Sequence, residues 1–180
     1  MGELASAIRI IEADPADPAA TFAASQYYAE LAARFEEGFD PGIGGAVSDP
    51  SIVPPRGALL LAMIGDEAVG CGAVTFHDAD TAEIKRVWTT PSVRGTGLGR
   101  RLIEELEALA AAAGATTVQL DTNRALTEAV AMYRRLGYHE VPAYNDNPYA
   151  HHWFAKSLSQ SAYGRSDRGA SAAWRSRDSR

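Results

Sequence analysis

Cys71 is the only cysteine in the chain, which excludes an internal disulfide and a cysteine-rich metal cage. Long apolar runs are also missing, and none reaches the length needed to span a bilayer, so no membrane segment is expected. Residues 1–11 lack a basic segment followed by a long apolar one, and no secretion signal is read there. A cytoplasmic location follows as the default expectation. Positive charge is scarce too. The formal net charge is −6, and residues 159–180 hold five Arg against two Asp, which leaves about −9 on the rest. Phosphate contact needs a basic face, so nucleic-acid binding by the folded part is disfavoured. An acidic body tolerates cationic ligands such as amines without proving one.

The hydrophobic share of 46% is ordinary for a soluble chain, and 180 residues suit one globular domain. Its expected extent is residues 1–158, with 159–180 an Arg- and Ser-rich disordered tail lacking any apolar period. Ile8, Ile10 and Ile11 read as a first strand over residues 7–12, and Pro18 fits the first turn of a helix over 19–37. Residues 39–55 are rich in Gly and Pro and read as loop. An apolar run over 58–64, the turn Gly65-Asp66-Glu67 and a return over 69–77 predict a hairpin, with a third strand over 81–89. Leu98, Leu102, Ile103, Leu106, Leu109 and Ala110 form one stripe on a helix over 98–113, with Gly114 just past its end. Strand 117–121, helix 127–136, an exit strand after Gly137-Tyr138 and strand 153–158 complete the order. A meander followed by β-α-β-α-β predicts a mixed α/β (α+β) sheet with helices on its faces.

Between the third strand and the long helix lies Val93-Arg94-Gly95-Thr96-Gly97-Leu98-Gly99-Arg100. Glycines there let backbone approach a ligand, and a helix start offers unpaired N–H groups to an anion. Arg94 and Arg100 can add charge-assisted contacts, so a pyrophosphate is the natural guest. The loop departs from the dinucleotide fingerprint, because Gly99 comes one position too early, and it lacks the Gly-Lys-Ser/Thr ending of an NTP-binding loop.

Arg94-x-x-Gly97-x-Gly99 resembles the R-x-x-G-x-G/A loop of the GNAT N-acetyltransferase family, and the resemblance extends over residues 58–158. Glu83-Ile84-Lys85-Arg86-Val87-Trp88-Thr89 stands upstream of the loop, and Ala129-Val130-Ala131-Met132-Tyr133-Arg134-Arg135-Leu136-Gly137-Tyr138 downstream. The resemblance implies a mostly antiparallel central sheet flanked by helices on both faces, with a splayed strand that binds acetyl-CoA. It places cofactor contacts on Val87, Trp88 and Thr89, on residues Arg94, Gly95, Thr96, Gly97, Leu98, Gly99 and Arg100, and on Asn123. For Asn123 a turn or helix-cap role stays equally open.

Acyl transfer to an amine needs a base, because an ammonium must lose a proton before its nitrogen can attack. Glu83 matches the family position of that base, though an ion pair with Lys85 on the same strand face is the plainer alternative. Tyr133 matches the phenol that protonates the departing thiolate, and a core aromatic is its alternative. Lys85 and Arg86 are candidates for a substrate carboxylate, and His77 is a remote alternative base. Substrate choice is expected from residues 22–55 and 142–152, with Tyr144, Asp146 and Tyr149 as candidate contacts. His151 and His152 are adjacent, so a strand would point them to opposite sides, and no metal site is expected.

The expected activity is direct transfer from acetyl-CoA to a small primary amine (amino acid-like, polyamine or antibiotic) in a ternary complex. Acetylation of a protein lysine or N-terminus and a non-catalytic acyl-CoA sensor are the alternatives, and a homodimer through edge strands is left open.

Overall fold

The computed structural model describes residues 2–42, 49–78 and 80–158. The expected tail from Ser159 onward lies outside the described residues. In chain order the elements are α1 (Gly2–Ala7), β1 (Arg9–Glu12), α2 (Pro18–Arg34), β2 (Gly57–Ile64), β3 (Glu67–Phe76), β4 (Thr81–Thr89), α3 (Leu98–Ala112), β5 (Thr117–Thr122), α4 (Thr127–Arg135), β6 (His139–Glu140) and β7 (His152–Ser157). They build a seven-stranded sheet in the order β1-β2-β3-β4-β5-β7-β6. Among the described residues, β4 and β5 alone run parallel.

The unbroken apolar run of β2 is explained by burial on both of its faces. Ala58, Leu60 and Ala62 join a cluster with Leu102, Leu106 and Ala110 of α3 and Val130 of α4. The alternate residues Leu59, Leu61 and Met63 join a second cluster with Ala20 and Ala23 of α2. One strand thus feeds two cores, and the period-two side-chain alternation assigns each residue to its face. Phe22, the large apolar residue near the start of α2, is 47% exposed. Small alanines make the contact instead.

Two irregularities shape the site. Between the pairs Cys71↔Trp88 and Ala73↔Lys85, Arg86 and Val87 stand against the single residue Gly72. This is a β-bulge, and Arg86 takes φ 56°, a left-handed conformation that ordinary residues avoid. In addition, the β4–β5 ladder ends at Glu83↔Gln119 although β4 continues to Thr89. The two strands part there, and the far half of β4 is not paired to β5 across the gap.

Candidate active site

Two clefts open into the gap between the parted strands. The first, of about 640 Å³, runs along Val87, Trp88 and Thr89 to the loop residues Arg94, Gly95, Gly97, Leu98, Gly99 and Arg100. The second, of about 440 Å³, contains Glu83, Asp121 and Tyr149. Tyr27, Leu31, Val87, Leu126, Ala129 and Tyr133 line both, so they mark the junction.

At the mouth of the first cleft, Gly95 and Gly97 take φ values of 81° and 84°, which a residue with a Cβ resists. Gly97 is also the residue before α3, and no side chain caps the helix. Its first N–H groups are therefore left for an anion. Gly99 serves packing: a Cβ there would lie 3.1 Å from the Met132 sulfur of α4. Arg100 is exposed and sits 3.6 Å from Glu104 one turn on. Thr96 turns inward, its hydroxyl donating to the Val93 carbonyl at 2.7 Å, and it does not line the cleft.

The remaining wall comes from α2, a segment expected to choose substrate, which here also braces the glycine loop. Glu30 accepts from Trp88 Nε1 at 3.0 Å and from Arg94 Nη2 at 2.6 Å. Arg94 also donates to the Thr89 carbonyl at 3.0 Å, so it braces the loop against β4 and α2. Arg34, one turn beyond Glu30, reaches the Ala125 carbonyl at 2.7 Å and Glu128 at 2.8 Å. Helix α2 therefore bridges both arms of the parted sheet.

In the second cleft Glu83 is buried, at 6% exposure. Its Oε2 lies 2.7 Å from His77 Nε2 and 3.5 Å from Lys85 Nζ, and its Oε1 accepts from the Tyr144 hydroxyl at 3.3 Å. Both the expected ion pair with Lys85 and a contact to His77 are present. His77 Nε2 lies 3.0 Å from Thr75 Oγ1, and its ring is 44% exposed, which connects the buried carboxylate to solvent. Burial raises the Tyr144 phenol pKa, and the charges of Glu83 and Asp121 add to this. Tyr133 is raised too, chiefly by burial and then by Asp121, and so stays protonated. Its ring packs 5.9 Å from Tyr138 and 6.1 Å from Phe154, so it is both a core aromatic and part of the junction.

Asn123 lines the second cleft, and its amide is engaged within the fold. Its Nδ2 donates to the Tyr149 carbonyl at 2.7 Å, and its Oδ1 accepts from the Ala125 N–H at 2.8 Å. This is the turn role left open by the sequence. Asp146 lies at the rim, exposed, while Tyr149 packs at tilted angles against Phe35 and Phe39 and accepts from the Asp40 N–H at 3.0 Å. Cys71 is buried, its thiol pushed up to about 12 by burial, and it lines neither cleft. Among the described residues no group of His, Cys, Asp and Glu could hold a metal ion, and no helix is long and apolar enough to cross a membrane.

The acetyltransferase (GNAT) family model matches residues 22–138. The chain belongs to the GNAT family. Among curated relatives it is 34% identical over 89 residues to the IAA acetyltransferase of Azospirillum brasilense, covering 49% of this chain and 58% of that protein. It is 35% identical over 99 residues to an uncharacterized N-acetyltransferase of Schizosaccharomyces pombe, covering 53% and 60%. The match thus spans less than two thirds of the length of these relatives. Among solved structures, a Klebsiella pneumoniae protein assigned as an acyl-CoA N-acyltransferase superposes with TM-score 0.67 at 28% identity, covering 84% of this chain and 98% of that one. A GNAT family acetyltransferase from Elizabethkingia anophelis with acetyl-CoA bound shares the fold, with TM-score 0.58 at 17% identity over 85% and 99% of the chains. The GNAT assignment accounts for the parted β4 and β5 and for the glycine loop at the start of α3.

Proposed function

We propose that this GNAT chain is an acetyl-CoA-dependent N-acetyltransferase acting on a small primary amine by direct transfer in a ternary complex. The observation that carries the reading is the meeting of two clefts at Tyr133, with a buried carboxylate, Glu83, on the side away from the glycine loop. Acetyl-CoA supplies the acetyl group as a thioester. The α3 N-terminus and Arg100 suit its pyrophosphate, and the edge of β4 at Val87, which β5 does not pair, suits a β-augmentation contact with an amide-bearing arm.

Glu83 takes the proton that the acceptor ammonium must lose, and His77 passes it toward solvent. The freed nitrogen attacks the thioester carbonyl, a C–N bond forms, the C–S bond breaks, and the nitrogen, cationic after attack, gives its second proton to the emptied Glu83 to leave a neutral amide. The Tyr133 hydroxyl, kept protonated by burial, donates to the departing sulfur and is reprotonated from solvent. Cys71 plays no part, since a thiol protonated up to about 12 is a poor nucleophile.

The test is a thiol-release assay with acetyl-CoA against amines, amino acids, polyamines, aminoglycosides and peptides. Release with a small amine, lost in Glu83→Gln, is the expected result. Acetyl-CoA that binds without release to any small acceptor would favour a sensor or a protein substrate. Failure to bind acetyl-CoA would sink the reading.

A further inference from the structure

The acceptor cleft carries a second carboxylate that the transfer chemistry does not use. Asp121 lies on β5 two residues beyond Gln119, the register partner of Glu83, so it projects from the same sheet face just where the strands part. It accepts from Asn145 Nδ2 at 2.7 Å and from Asn147 Nδ2 at 3.0 Å. Both donors are neutral, and no cation lies within ion-pair distance of it among the described residues. Burial raises the carboxyl pKa against the opposing pull of those amides and of the more distant Lys85 charge, and the nearby Glu83 charge raises it further. A partly buried carboxylate with no cation in direct contact gains when one arrives to complete it.

The same cleft carries an aromatic cluster. Tyr149 lies 5.0 Å from Phe39 and 6.0 Å from Phe35, and Phe39 stacks on Tyr28 at 5.7 Å. Such faces attract an ammonium and pack against an aryl body. The cations of the cleft are already engaged, with Lys85 3.5 Å from Glu83 and Arg86 3.5 Å from Asp49. A substrate carboxylate entering here would meet Asp121 and Glu83 with no uncommitted cation to hold it.

We infer that the acceptor is an arylalkylamine without a carboxylate, its ammonium held by Asp121 and its ring packed against Phe39 and Tyr149. This rests on the acetyl-transfer reading above and names the substrate class of that same site. It disfavours the amino acids among the acceptors that the sequence leaves open.

Matched pairs test it. With CoA-loaded protein, calorimetric titration of 2-phenylethylamine and tyramine should give binding at least tenfold tighter than L-phenylalanine and L-tyrosine, and thiol release should follow the same order. Asp121→Asn should weaken 2-phenylethylamine binding tenfold or more while acetyl-CoA affinity stays unchanged. That unchanged affinity also reports that the variant is folded. Phe39→Ala should abolish the preference for 2-phenylethylamine over n-butylamine. Equal binding of amine and parent amino acid, or unchanged amine affinity in Asp121→Asn, overturns the inference. Efficient acetylation of other amines only would also overturn it while leaving the acetyl-transfer reading intact. Absence of acetyl-CoA binding would instead remove the reading on which it rests.

Discussion

Glu83 lines only the second cleft, whereas Tyr133 lines both, and under the proposed transfer the two side chains should fail differently. Glu83→Gln keeps size and polarity but removes the proton acceptor, so kcat should drop by about 10²–10⁴-fold with acetyl-CoA affinity unchanged. Tyr133→Phe should slow turnover by only roughly tenfold, because a thiol with a pKa of about 8.5 is a fair leaving group unaided. Steady-state kinetics on both variants separates the roles, and equal losses would contradict them. Cys71 gives a stability signature instead. Its thiol titrates near 9.0 when unfolded and about 12 when folded, so the folded state holds its proton longer. Stability from this group is complete below pH 9 and declines as pH rises from there, by about 1.4 kcal/mol per unit. Urea unfolding at pH 8 and pH 10 should show a smaller loss in Cys71→Ala than in the parent chain.

At the scale of elements, strand and helix order was largely legible, because each apolar stripe or run reports its own periodicity. Strand β4 was read at its observed bounds, and α3 within a residue. Less visible were α1 and the brevity of β6, which has only His139 and Glu140. The glycine loop, Glu83 and Tyr133 were legible as a resemblance, since their spacing is local. The partners were not. Glu30 meets Trp88 across 58 residues of chain, and Asp121 meets Asn145 across 24, and periodicity tells nothing about which surface an element meets. The start of α3 and the α2 bridge make separable predictions. Gly97→Ala forces a Cβ into φ 84°, which should cost about 1–2 kcal/mol and weaken acetyl-CoA binding, seen in a lowered Tm and a raised Kd. Glu30→Ala strips the acceptor from the buried Trp88 indole, costing about 1–3 kcal/mol, and hydrogen exchange should rise along α2.

For the whole molecule, the two clefts work together only if the helix that begins at the glycine loop stays in register with the strands beside the acceptor segment. Glu107 supplies that link. It lies on the inward stripe of α3 at 1% exposure, where the helical pattern calls for an apolar residue. Both its oxygens accept from Lys156 Nζ of β7 at 2.9 Å, and Oε1 also accepts from the Tyr138 hydroxyl at 2.8 Å. Helix α3, the turn after α4 and strand β7 are thus joined through one buried carboxylate. Breaking the pair from its two ends should be unequal. Lys156→Met removes the cation from a buried charge, and the loss should approach about 3 kcal/mol. Glu107→Leu leaves Lys156, whose side chain is 25% exposed, free to turn to water, so the loss should be nearer about 1 kcal/mol. The double replacement should regain most of the difference, since a packed apolar pair has no desolvation penalty to offset. Urea unfolding of the three variants measures this order. If Glu107→Leu proves the costlier change, the carboxylate is holding Tyr138 and β7 in place rather than sitting there at a desolvation cost, and the link between the clefts runs through hydrogen bonding more than charge.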